Sequence, residues 1–518
     1  MKLLRRISNA KIVAACVASI TILCIPSFRN VPTDGPGTKA DLPNIVVILA
    51  DDMGYGDIRA YNPESQIPTP NLDKLAVGGL RFTDAHSGSS VCTPTRYGLL
   101  TGRYAFRSSL KKGVLGGYSP PLIENDRFTI ADLLSNAGYH TGIVGKWHLG
   151  LSFAIDSVTT STNAPADSTS GWPNGNGINV EKPLVNSPND VGFDYSYIIP
   201  ASLDMPPYVY FDDKKPTERG IVQLEGSKYP RGVLWREGKA SANFNIHATL
   251  DHFSKKATDF ISKSARSEKP FFLYLPLTGP HTPWLPSQRF KGKSKAGIYG
   301  DFVAHTDAVV GEVMHTLDSL GITGNTLVIF TSDNGADWRP GDKQLFPAHQ
   351  ANYIFRGQKS DIWEGGHRVP FLASWPMGIK PGRQTSNTIC LTDLLATFAT
   401  ITHQKIPASA AQDSFDFSTV LTNNAPVNPT RQSIIHHSIK GMFALRKGKW
   451  KYIEGKGSGG WSEDNSPTAD LQAQLYDLET DPTESKNVFT SFSDIARSLD
   501  SELQKQKKSG YTRSGSNK

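Results

Sequence analysis

The stretch NIVVILADD, residues 44–52, runs from an unbroken apolar segment into two adjacent carboxylates. Continuous apolar runs of this length are typical of strands that are buried on both faces of a parallel sheet. Three later runs have the same form and also end in polar residues. They are 141–145 before Lys146, 271–277 before His281, and 327–332 before Asp333 and Asn334. The repeated pattern predicts a parallel sheet whose carboxyl edge collects polar side chains.

Between these runs, apolar residues recur three and four positions apart, which predicts helices over 71–79, 129–137, 248–264 and 301–320. Strands that alternate with helices indicate an α/β layered fold. In such folds ligands bind beyond the carboxyl ends of the strands. We therefore expect the polar residues that follow the four runs to form the functional site.

The domain organisation follows from length and from changes in composition. A chain of 518 residues exceeds what one core usually supports, and from about residue 430 short strands replace the long parallel runs. A Ser/Thr/Asn/Gly/Pro-rich stretch is interpreted as a pocket-forming insertion, with disorder as the alternative for 158–178. The predicted segments are a signal peptide (1–30), a leader (31–42), a main domain (43–429) with its insertion (151–245), a C-terminal subdomain (430–505) and a basic tail (506–518).

The N-terminus has the features of an export signal, because four basic residues precede the apolar run 12–25. We expect a periplasmic or secreted bacterial protein with no stable membrane insertion after the signal is removed. An uncleaved membrane anchor and a lipoprotein at Cys24 are the alternatives. Beyond the signal only Cys92 and Cys390 remain, so one disulfide at most is possible.

The charge balance argues against a nucleic-acid partner. The formal net charge is +7, but residues 1–30 hold five basic and no acidic side chains, so little excess charge remains after the predicted signal is removed. The basic residues near the C-terminus are interpreted as a solvated tail.

The anionic residues at the strand ends suggest a metal site. Asp51-Asp52 and Asp333-Asn334 offer oxygen ligands only, a set that suits calcium or magnesium. Either pair alone is more simply a helix cap or a turn. Two such pairs at the ends of predicted strands favour the metal site.

Cationic residues and histidines add to the same edge. They are Arg96 and Arg103, Lys146 and His148 in "GKWHLG", His281 in "GPHTPW", and Lys359 in "RGQKSDIWEGGHRVP". Lys146 and His148, two apart on extended backbone, are expected to point the same way. Taken alone, each is more simply a surface lysine or a hydrogen-bonded core histidine. Together in one pocket with a divalent cation, they indicate a binding site for a tetrahedral anion such as a sulfate or phosphate ester.

At this point the chain resembles a known family, the type I, formylglycine-dependent sulfatases of the alkaline phosphatase superfamily. The signature C-x-P-x-R with a following T-G-R is present as Cys92, Pro94, Arg96 and 101–103. Thr95 departs from the serine or alanine that is usual in the family. The resemblance extends across nearly the whole chain after the predicted signal, through segments that stand in family order. They are "ADDMGYGD" before the signature and "GIVGKWHLG", "PHTPW", "FTSDNGA", "GQKSDIWEGGHRVP" and "QLYDLETDPTESKNV" after it.

The resemblance implies both a fold and a reaction. The fold is an alkaline-phosphatase-like central mixed, mostly parallel sheet sandwiched by helices, with a smaller C-terminal antiparallel-sheet α+β domain. A formylglycine-generating enzyme converts Cys92 to 3-oxoalanine, the Cα-formylglycine, during export. The hydrated aldehyde is a gem-diol that attacks the sulfuric ester, passes through a sulfo-enzyme intermediate and releases sulfate by collapse to the aldehyde.

The resemblance also implies residue roles. Arg96 and Lys146 hold the diol, His148 is the base of the elimination step, and His281 and Lys359 contact the sulfate and the leaving oxygen, with His281 the favoured general acid. One calcium ion is expected. Its implied ligands are Asp51, Asp52, modified Cys92, Asp333 and Asn334.

The expected substrate is a sulfated carbohydrate, a polysaccharide or glycosaminoglycan fragment. The segment "ASLDMPPYVYFDD" (201–213) resembles a pocket-lining segment of saccharide-directed sulfatases, with Asp204 the leading candidate for sugar hydroxyls. Tyr208, Trp284, Trp338 and Arg339 are expected to add an aromatic wall and a cation, core packing being the alternative for the aromatic residues. Alternative functions are a phosphodiester or phosphonate monoester hydrolase of the same superfamily and a non-catalytic glycan-binding protein.

Overall fold

A computed structural model describes residues 42–156, 172–227, 231–423 and 431–513. The predicted signal peptide, the leader up to 41, most of 158–178 and the end of the tail lie outside these ranges. The described strands are β1 (Asn44–Asp51), β2 (Leu80–His86), β3 (His140–Lys146), β4 (Ala154–Ile155), β5 (Ile178–Asn179), β6 (Tyr195–Ile199), β7 (Phe211–Asp212), β8 (Lys215–Pro216), β9 (Ile221–Leu224), β10 (Gly238–Ser241), β11 (Phe271–Pro280), β12 (Thr326–Ser332), β13 (Arg368–Ser374), β14 (Arg383–Thr385), β15 (Ile389–Cys390), β16 (Ser433–His437), β17 (Phe443–Lys447), β18 (Trp450–Ile453) and β19 (Gln474–Asp477).

The four predicted apolar runs are the adjacent central strands of one large sheet, in the order β12-β1-β11-β3, and all three of these pairs are parallel. The whole sheet runs β14-β2-β13-β12-β1-β11-β3-β6-β7-β8, with β15 also on β2. Antiparallel pairs at β12–β13, β13–β2, β6–β7 and β7–β8 make it mixed. The predicted mixed, mostly parallel sheet is confirmed.

Alternation along β1 explains why its sequence is apolar throughout. Ile45, Val47 and Leu49 pack into one core, whereas Val46 and Ile48 pack into a second core on the other face. Side chains of a strand point alternately to the two faces, so both faces of the sheet are covered. Full burial of each such side chain contributes about 1.5–3 kcal/mol.

Helices cover both faces. Leu72, Phe253 and Val303 of three of them join the core on one face, and Leu99, Leu133 and Leu394 of three others join the core on the opposite face. The described α-helices are α1 (Pro70–Val77), α2 (Cys92–Thr101), α3 (Ile130–Asn136), α4 (Thr249–Ser264), α5 (Gly297–Ser319), α6 (Pro340–Leu345), α7 (Glu364–His367), α8 (Leu394–Ile401), α9 (Ser418–Thr422) and α10 (Ser493–Ser509).

The C-terminal part is a four-stranded antiparallel sheet, β16-β17-β18-β19, followed by α10. Leu445 and Leu475 pack with Leu499 and Leu503 of α10 on one face. On the other face Ala444, Ile453 and Tyr476 pack with Trp363 of the catalytic part. The predicted small antiparallel domain is therefore confirmed, and it shares cores with the large sheet within one unit, Gly37–Lys518.

One predicted boundary falls inside a helix. Helix α10 continues to Ser509, four residues past the predicted end of the subdomain at 505. The tail then returns to the catalytic part, where the backbone N–H groups of Thr512 and Arg513 donate to the Gln412 carbonyl at 3.0 Å.

Within the described part of the chain, no helix combines the length and the apolarity that crossing a membrane requires.

Candidate active site

The site lies at the carboxyl ends of the central strands. Asp51 ends β1 and Lys146 ends β3, while Asp333 follows β12 and His281 follows β11. All four side chains are buried. Tight strand packing at this edge needs a glycine at 145, because a Cβ there would lie 1.9 Å from the Pro276 carbonyl oxygen of the adjacent strand.

Cys92 is the first residue of α2, and 2% of it is exposed. The helix N-terminus, with Pro94 in its first turn, directs backbone N–H groups and the positive end of the helix dipole toward the site. Thr95, the unusual residue of the signature, donates from Oγ1 to the Ser89 carbonyl at 3.1 Å. The threonine hydroxyl thus ties α2 to the loop that precedes it.

The carboxylates interlock with Asn334. Asn334 Nδ2 donates to Asp52 Oδ1 at 2.7 Å, and the Asp52 backbone N–H donates to Asp333 Oδ1 at 3.1 Å. Ligand atoms of Asp51, Asp52, Cys92 and His281 all lie within 4.8 Å of one another, close enough to share one ion. Asp333 is not in that group, and Arg96 donates to its Oδ2.

Two oxygens of this cluster are unsatisfied. Asn334 Oδ1 and Asp51 Oδ1 are buried and accept no hydrogen bond from the described residues, although Arg96 Nη2 lies 3.3 Å from the latter. A buried acceptor without a donor is costly unless a ligand completes it. The donor set, carboxylate and amide oxygens, is the one that hard divalent cations prefer. The residues present therefore fit a cation.

Three cations balance the three carboxylates. Arg96 Nη2 donates to Asp333 Oδ2, Lys146 Nζ to Asp51 Oδ2 and Lys359 Nζ to Asp52 Oδ2, each at 2.7 Å. Burial by itself raises the pKa of Asp51, but Lys146, His281 and Arg96 together hold it below its usual value. Burial and the adjacent Asp51 raise the pKa of Asp333 instead.

His148 is held in one tautomer. Its Nε2 lies 2.8 Å from the Leu115 carbonyl, which can only accept, so Nε2 carries the proton and Nδ1 carries a lone pair. Nδ1 is buried and has no hydrogen-bond partner among the described residues. Burial, with the charges of Lys146 and Arg96, holds the pKa of His148 well below its usual value. The ring is a neutral base with its accepting nitrogen unused.

The backbone at His148 differs from the extended conformation that we expected. β3 ends at Lys146, and His148 has φ 56°, in the left-handed region. Lys146 and His148 therefore do not lie on one face of a strand. The left-handed residue turns the chain so that the ring can reach Leu115.

The pKa of His281 is shifted in the opposite direction from that of His148. Its Nδ1 donates to the Thr282 carbonyl, and its Nε2 lies 3.7 Å from Asp52 Oδ2. Burial and Lys359 lower its pKa, but Asp52 and Asp51 outweigh them and raise the pKa to about 9. The imidazole is therefore protonated at neutral pH and has a proton to donate from Nε2.

The residues predicted to bind substrate are distributed differently from the catalytic set. The Asp204 carboxylate is buried and accepts from Arg236 Nη1 at 2.8 Å, while Tyr208 is buried and donates to the Arg236 carbonyl. Trp284 and Trp338 are 6% and 2% exposed, and both pack on Tyr299. The two indoles thus lie in the core, the alternative that the sequence left open. Arg339 is exposed.

An aromatic residue that the motifs did not indicate lies at the mouth of the site. Trp461, in the loop between β18 and β19, is 44% exposed. Lys359 Nζ is 5.9 Å and the Arg339 guanidinium 5.5 Å from the centroid of its ring. The only sequence signal is a tryptophan in the loop-like stretch "GSGGWSEDNS".

A family model described as "Sulfatase" matches residues 43–404. The chain belongs to the sulfatase family. It is 33% identical to an N-acetylgalactosamine-6-O-sulfatase of Bacteroides thetaiotaomicron, over 91% of this chain and 94% of that protein. It is 34% identical to human arylsulfatase A, over 86% and 83% of the two chains.

Solved structures of sulfatases have the same fold as this chain. One from Bacteroides thetaiotaomicron, described under the metabolism of multiple glycosaminoglycans, has a TM-score of 0.76 and 31% identity, and the match covers 90% of this sulfatase and 99% of that chain. The PsFucS1 sulfatase of Pseudoalteromonas sp. has a TM-score of 0.69 at 24% identity and supports the fold alone. This sulfatase is accordingly a sulfuric ester hydrolase.

Proposed function

We propose that this sulfatase removes sulfate from a sulfated carbohydrate, with Cys92 converted to formylglycine and one calcium ion bound beside it. The observation that carries the proposal is the position of Cys92, at a helix N-terminus, within 4.8 Å of ligand atoms of Asp51, Asp52 and His281. A formylglycine at this position supplies a hydrated aldehyde with one hydroxyl to attack sulfur and a second hydroxyl whose deprotonation lets sulfate leave.

Calcium bound by Asp51, Asp52, Asp333 and Asn334 would supply positive charge for the sulfate oxygens. The chain's own charges support this assignment. The three carboxylates are already balanced by Arg96, Lys146 and Lys359, so a divalent cation would leave the site with an excess of positive charge. Such an excess stabilises a sulfate ester and the charge that develops as its bond breaks.

The two histidines supply the proton transfers. His281 Nε2 holds a proton, because its pKa is raised to about 9, and donates it to the leaving oxygen of the substrate. His148 Nδ1 has a lone pair and no partner among the described residues, and it accepts the proton of the second hydroxyl at position 92. Arg96 and Lys146 orient the hydroxyls, and Lys359 contacts the sulfate.

The carbohydrate assignment rests on relatives and on the mouth of the site. One relative is named for N-acetylgalactosamine-6-O-sulfate, and one solved neighbour is described under glycosaminoglycan metabolism. Trp461 offers an exposed aromatic face beside Lys359 and Arg339, a combination that suits a sugar ring with an anionic substituent.

The test is a substrate panel on protein that has been coexpressed with a formylglycine-generating enzyme. The panel contains 6-O-sulfated N-acetylgalactosamine, its 4-O-sulfated isomer, 4-nitrophenyl sulfate and a bis-aryl phosphodiester. We expect the highest kcat/KM on a sulfated sugar and negligible turnover of the phosphodiester. A higher kcat/KM on the phosphodiester, or turnover of the aryl sulfate alone, would overturn the assignment.

We also propose that the enzyme is exported to the periplasm or secreted and that the formylglycine-generating enzyme is its maturation partner. Cys92 is 2% exposed, so a modifying enzyme must reach the signature before this region has folded. Incubating purified, folded, unmodified protein with the modifying enzyme should therefore leave Cys92 a thiol in peptide mass spectra. N-terminal sequencing of the exported protein would locate the cleavage site.

A further inference from the structure

A cavity of about 720 Å³ opens within the predicted insertion and is distinct from the Trp461 side of the site. Its lining comes from three segments, which are 172–176, 234–239 and the floor segment 116–118. The floor passes close beneath Trp172, since a Cβ on Gly116 would lie 2.7 Å from the indole. This close packing holds the indole against the backbone of the floor.

The floor is continuous in the chain with Leu115, which contacts two elements of the active site. Leu115, the residue before Gly116, donates from its backbone N–H to Thr93 Oγ1 at 3.2 Å, and its carbonyl accepts from His148 Nε2 at 2.8 Å. Thr93 follows Cys92 in the chain. The cavity therefore begins one residue from a segment that is bonded both to the nucleophile helix and to the base.

Arg236 is held in place inside this cavity. Its Nη1 donates to Asp204 Oδ2 at 2.8 Å and to the Asp204 carbonyl at 3.1 Å, and its guanidinium lies 5.1 Å from the Trp172 ring centroid. Nε and Nη2 have no hydrogen-bond partner among the described residues, and 38% of the side chain is exposed. Two donors of a fixed guanidinium are thus available to a ligand.

The remaining lining suits a charged sugar. Lys239 donates from Nζ to the Ile178 carbonyl at 2.6 Å, so a second cation is fixed at the wall. Glu237 is the one acidic residue among the described lining residues, and the Asp204 carboxylate that pairs with Arg236 is buried behind them. Trp172 and Trp235 are each held by an indole N–H bond to a backbone carbonyl, so their rings are fixed.

We propose that this cavity is an accessory subsite that binds the sugar next to the sulfated one and that Arg236 recognises a carboxylate on that sugar. The inference rests on the proposed carbohydrate function. A guanidinium with two donors in a planar fork matches a carboxylate in geometry and charge. Asp204 is then a positioning residue that holds Arg236, rather than a direct partner of sugar hydroxyls.

The experiment compares three probes, 6-O-sulfated N-acetylgalactosamine alone, linked to glucuronic acid, and linked to glucose. The wild type should desulfate the glucuronic acid disaccharide with a kcat/KM about tenfold or more above that of the glucose disaccharide. Arg236→Ala should abolish this preference, and Arg236→Lys should restore only part of it, because lysine keeps the charge but loses the fork. Arg219→Ala, an exposed arginine of the same insertion, is the matched control and should keep the preference.

Asp204→Asn tests the positioning role. It should raise KM for the glucuronic acid disaccharide much more than it lowers kcat, and the monosaccharide should be less affected. A wild type without the preference, or an Arg236→Ala variant that retains it, overturns the subsite while leaving the carbohydrate function intact. A wild type that hydrolyses 4-nitrophenyl sulfate but none of the three sugars overturns the carbohydrate function, and the subsite falls with it.

Discussion

The active site and the junction between the two sheets both bury many charged side chains, but at the active site the open acceptors Asn334 Oδ1 and Asp51 Oδ1 belong to the residue set around Cys92. The junction cluster joins the large sheet to the small one. It consists of Asp84, His86, Glu364, His367, His436, Arg446, Lys451 and Glu484.

In the junction cluster the charges face one another. Lys451 Nζ lies 3.1 Å from Glu364 Oε1 and 2.8 Å from Glu484 Oε1, and Arg446 Nη1 lies 2.6 Å from Asp84 Oδ1. Burial raises the pKa of Glu364, but Lys451, the adjacent histidines and Arg446 together outweigh it and hold that pKa well below its usual value. Cations of the small sheet are thus neutralised by Asp84 and Glu364 of the catalytic part and by Glu484, which follows β19.

Histidines show the same contrast. His367 and His436 of the junction stack at 3.7 Å between centroids, and burial holds both pKa values well below the usual range. They are neutral packing groups, although His436 Nε2 has no partner among the described residues. At the active site one histidine is a neutral base and the other a protonated acid. Dense buried charge therefore does not identify a functional site, whereas open acceptors that converge with a nucleophile do.

The strongest way to sharpen this comparison is to remove the nucleophile. Cys92→Ala should lower kcat by at least about 10⁴-fold, because no other described side chain can replace the nucleophile. The melting temperature should change little, since the substitution is small and leaves the network of Asp51, Asp52 and Asp333 in place. Cys390→Ala, at the other cysteine outside the predicted signal, is the matched control and should keep activity per folded molecule. Comparable turnover by Cys92→Ala and wild type would refute the assignment.

A second test concerns the base. His148→Ala should reduce kcat by about 10³-fold, within the range of general base catalysis. In the wild type, activity should persist below pH 6.5, because burial beside Lys146 lowers the pKa of His148 and Nδ1 stays unprotonated until a lower pH. The measurement is the pH profile of kcat from pH 4 to 9. An acid limb centred at or above 6.5 would show that another group controls the reaction.

The junction cluster is tested by breaking it. Lys451→Met should lower the free energy of unfolding by about 3–5 kcal/mol, since it leaves Glu484 buried without its cation and leaves Glu364 with Arg368 but without Lys451. Activity per folded molecule should remain close to that of the wild type. The control is Lys449→Met, two positions from Lys451 in the chain, which removes an exposed ion pair with Asp477. It should leave the denaturation midpoint unchanged. A large loss of kcat in folded Lys451→Met would mean that the junction takes part in catalysis.

The smallest expected effect is that of the metal. Calcium added to chelated protein at about 100 times its Kd should stabilise the fold by about 2.7 kcal/mol and raise Tm. Asp51→Asn should remove most of this shift, while Asp84→Asn at the junction should retain it, although both variants lose a buried carboxylate. A calcium-induced shift that persists in Asp51→Asn would place the ion elsewhere.

Much of the fold was predictable because its signals are local. The runs at β1, β3, β11 and β12 are apolar on both faces, and this pattern is visible without knowledge of any partner strand. Polar residues directly after such runs must meet at one edge of a parallel sheet, which brings Asp51, Lys146, His281 and Asp333 together. The details of the insertion were less predictable, since loops and short strands leave no periodic pattern.

By itself the sequence determined the central sheet, the small antiparallel domain and the set of residues around Cys92. Tertiary structure alone decided which atoms of those residues are available. The unused nitrogen of His148 follows from a bond to Leu115, the burial of Asp204 from its pairing with Arg236, and the position of Trp461 from the docking of the small sheet. Each contact joins residues 32 or more positions apart in the chain, and no local pattern specifies such partners, because distant segments meet only when the cores on both faces of the sheet are closed.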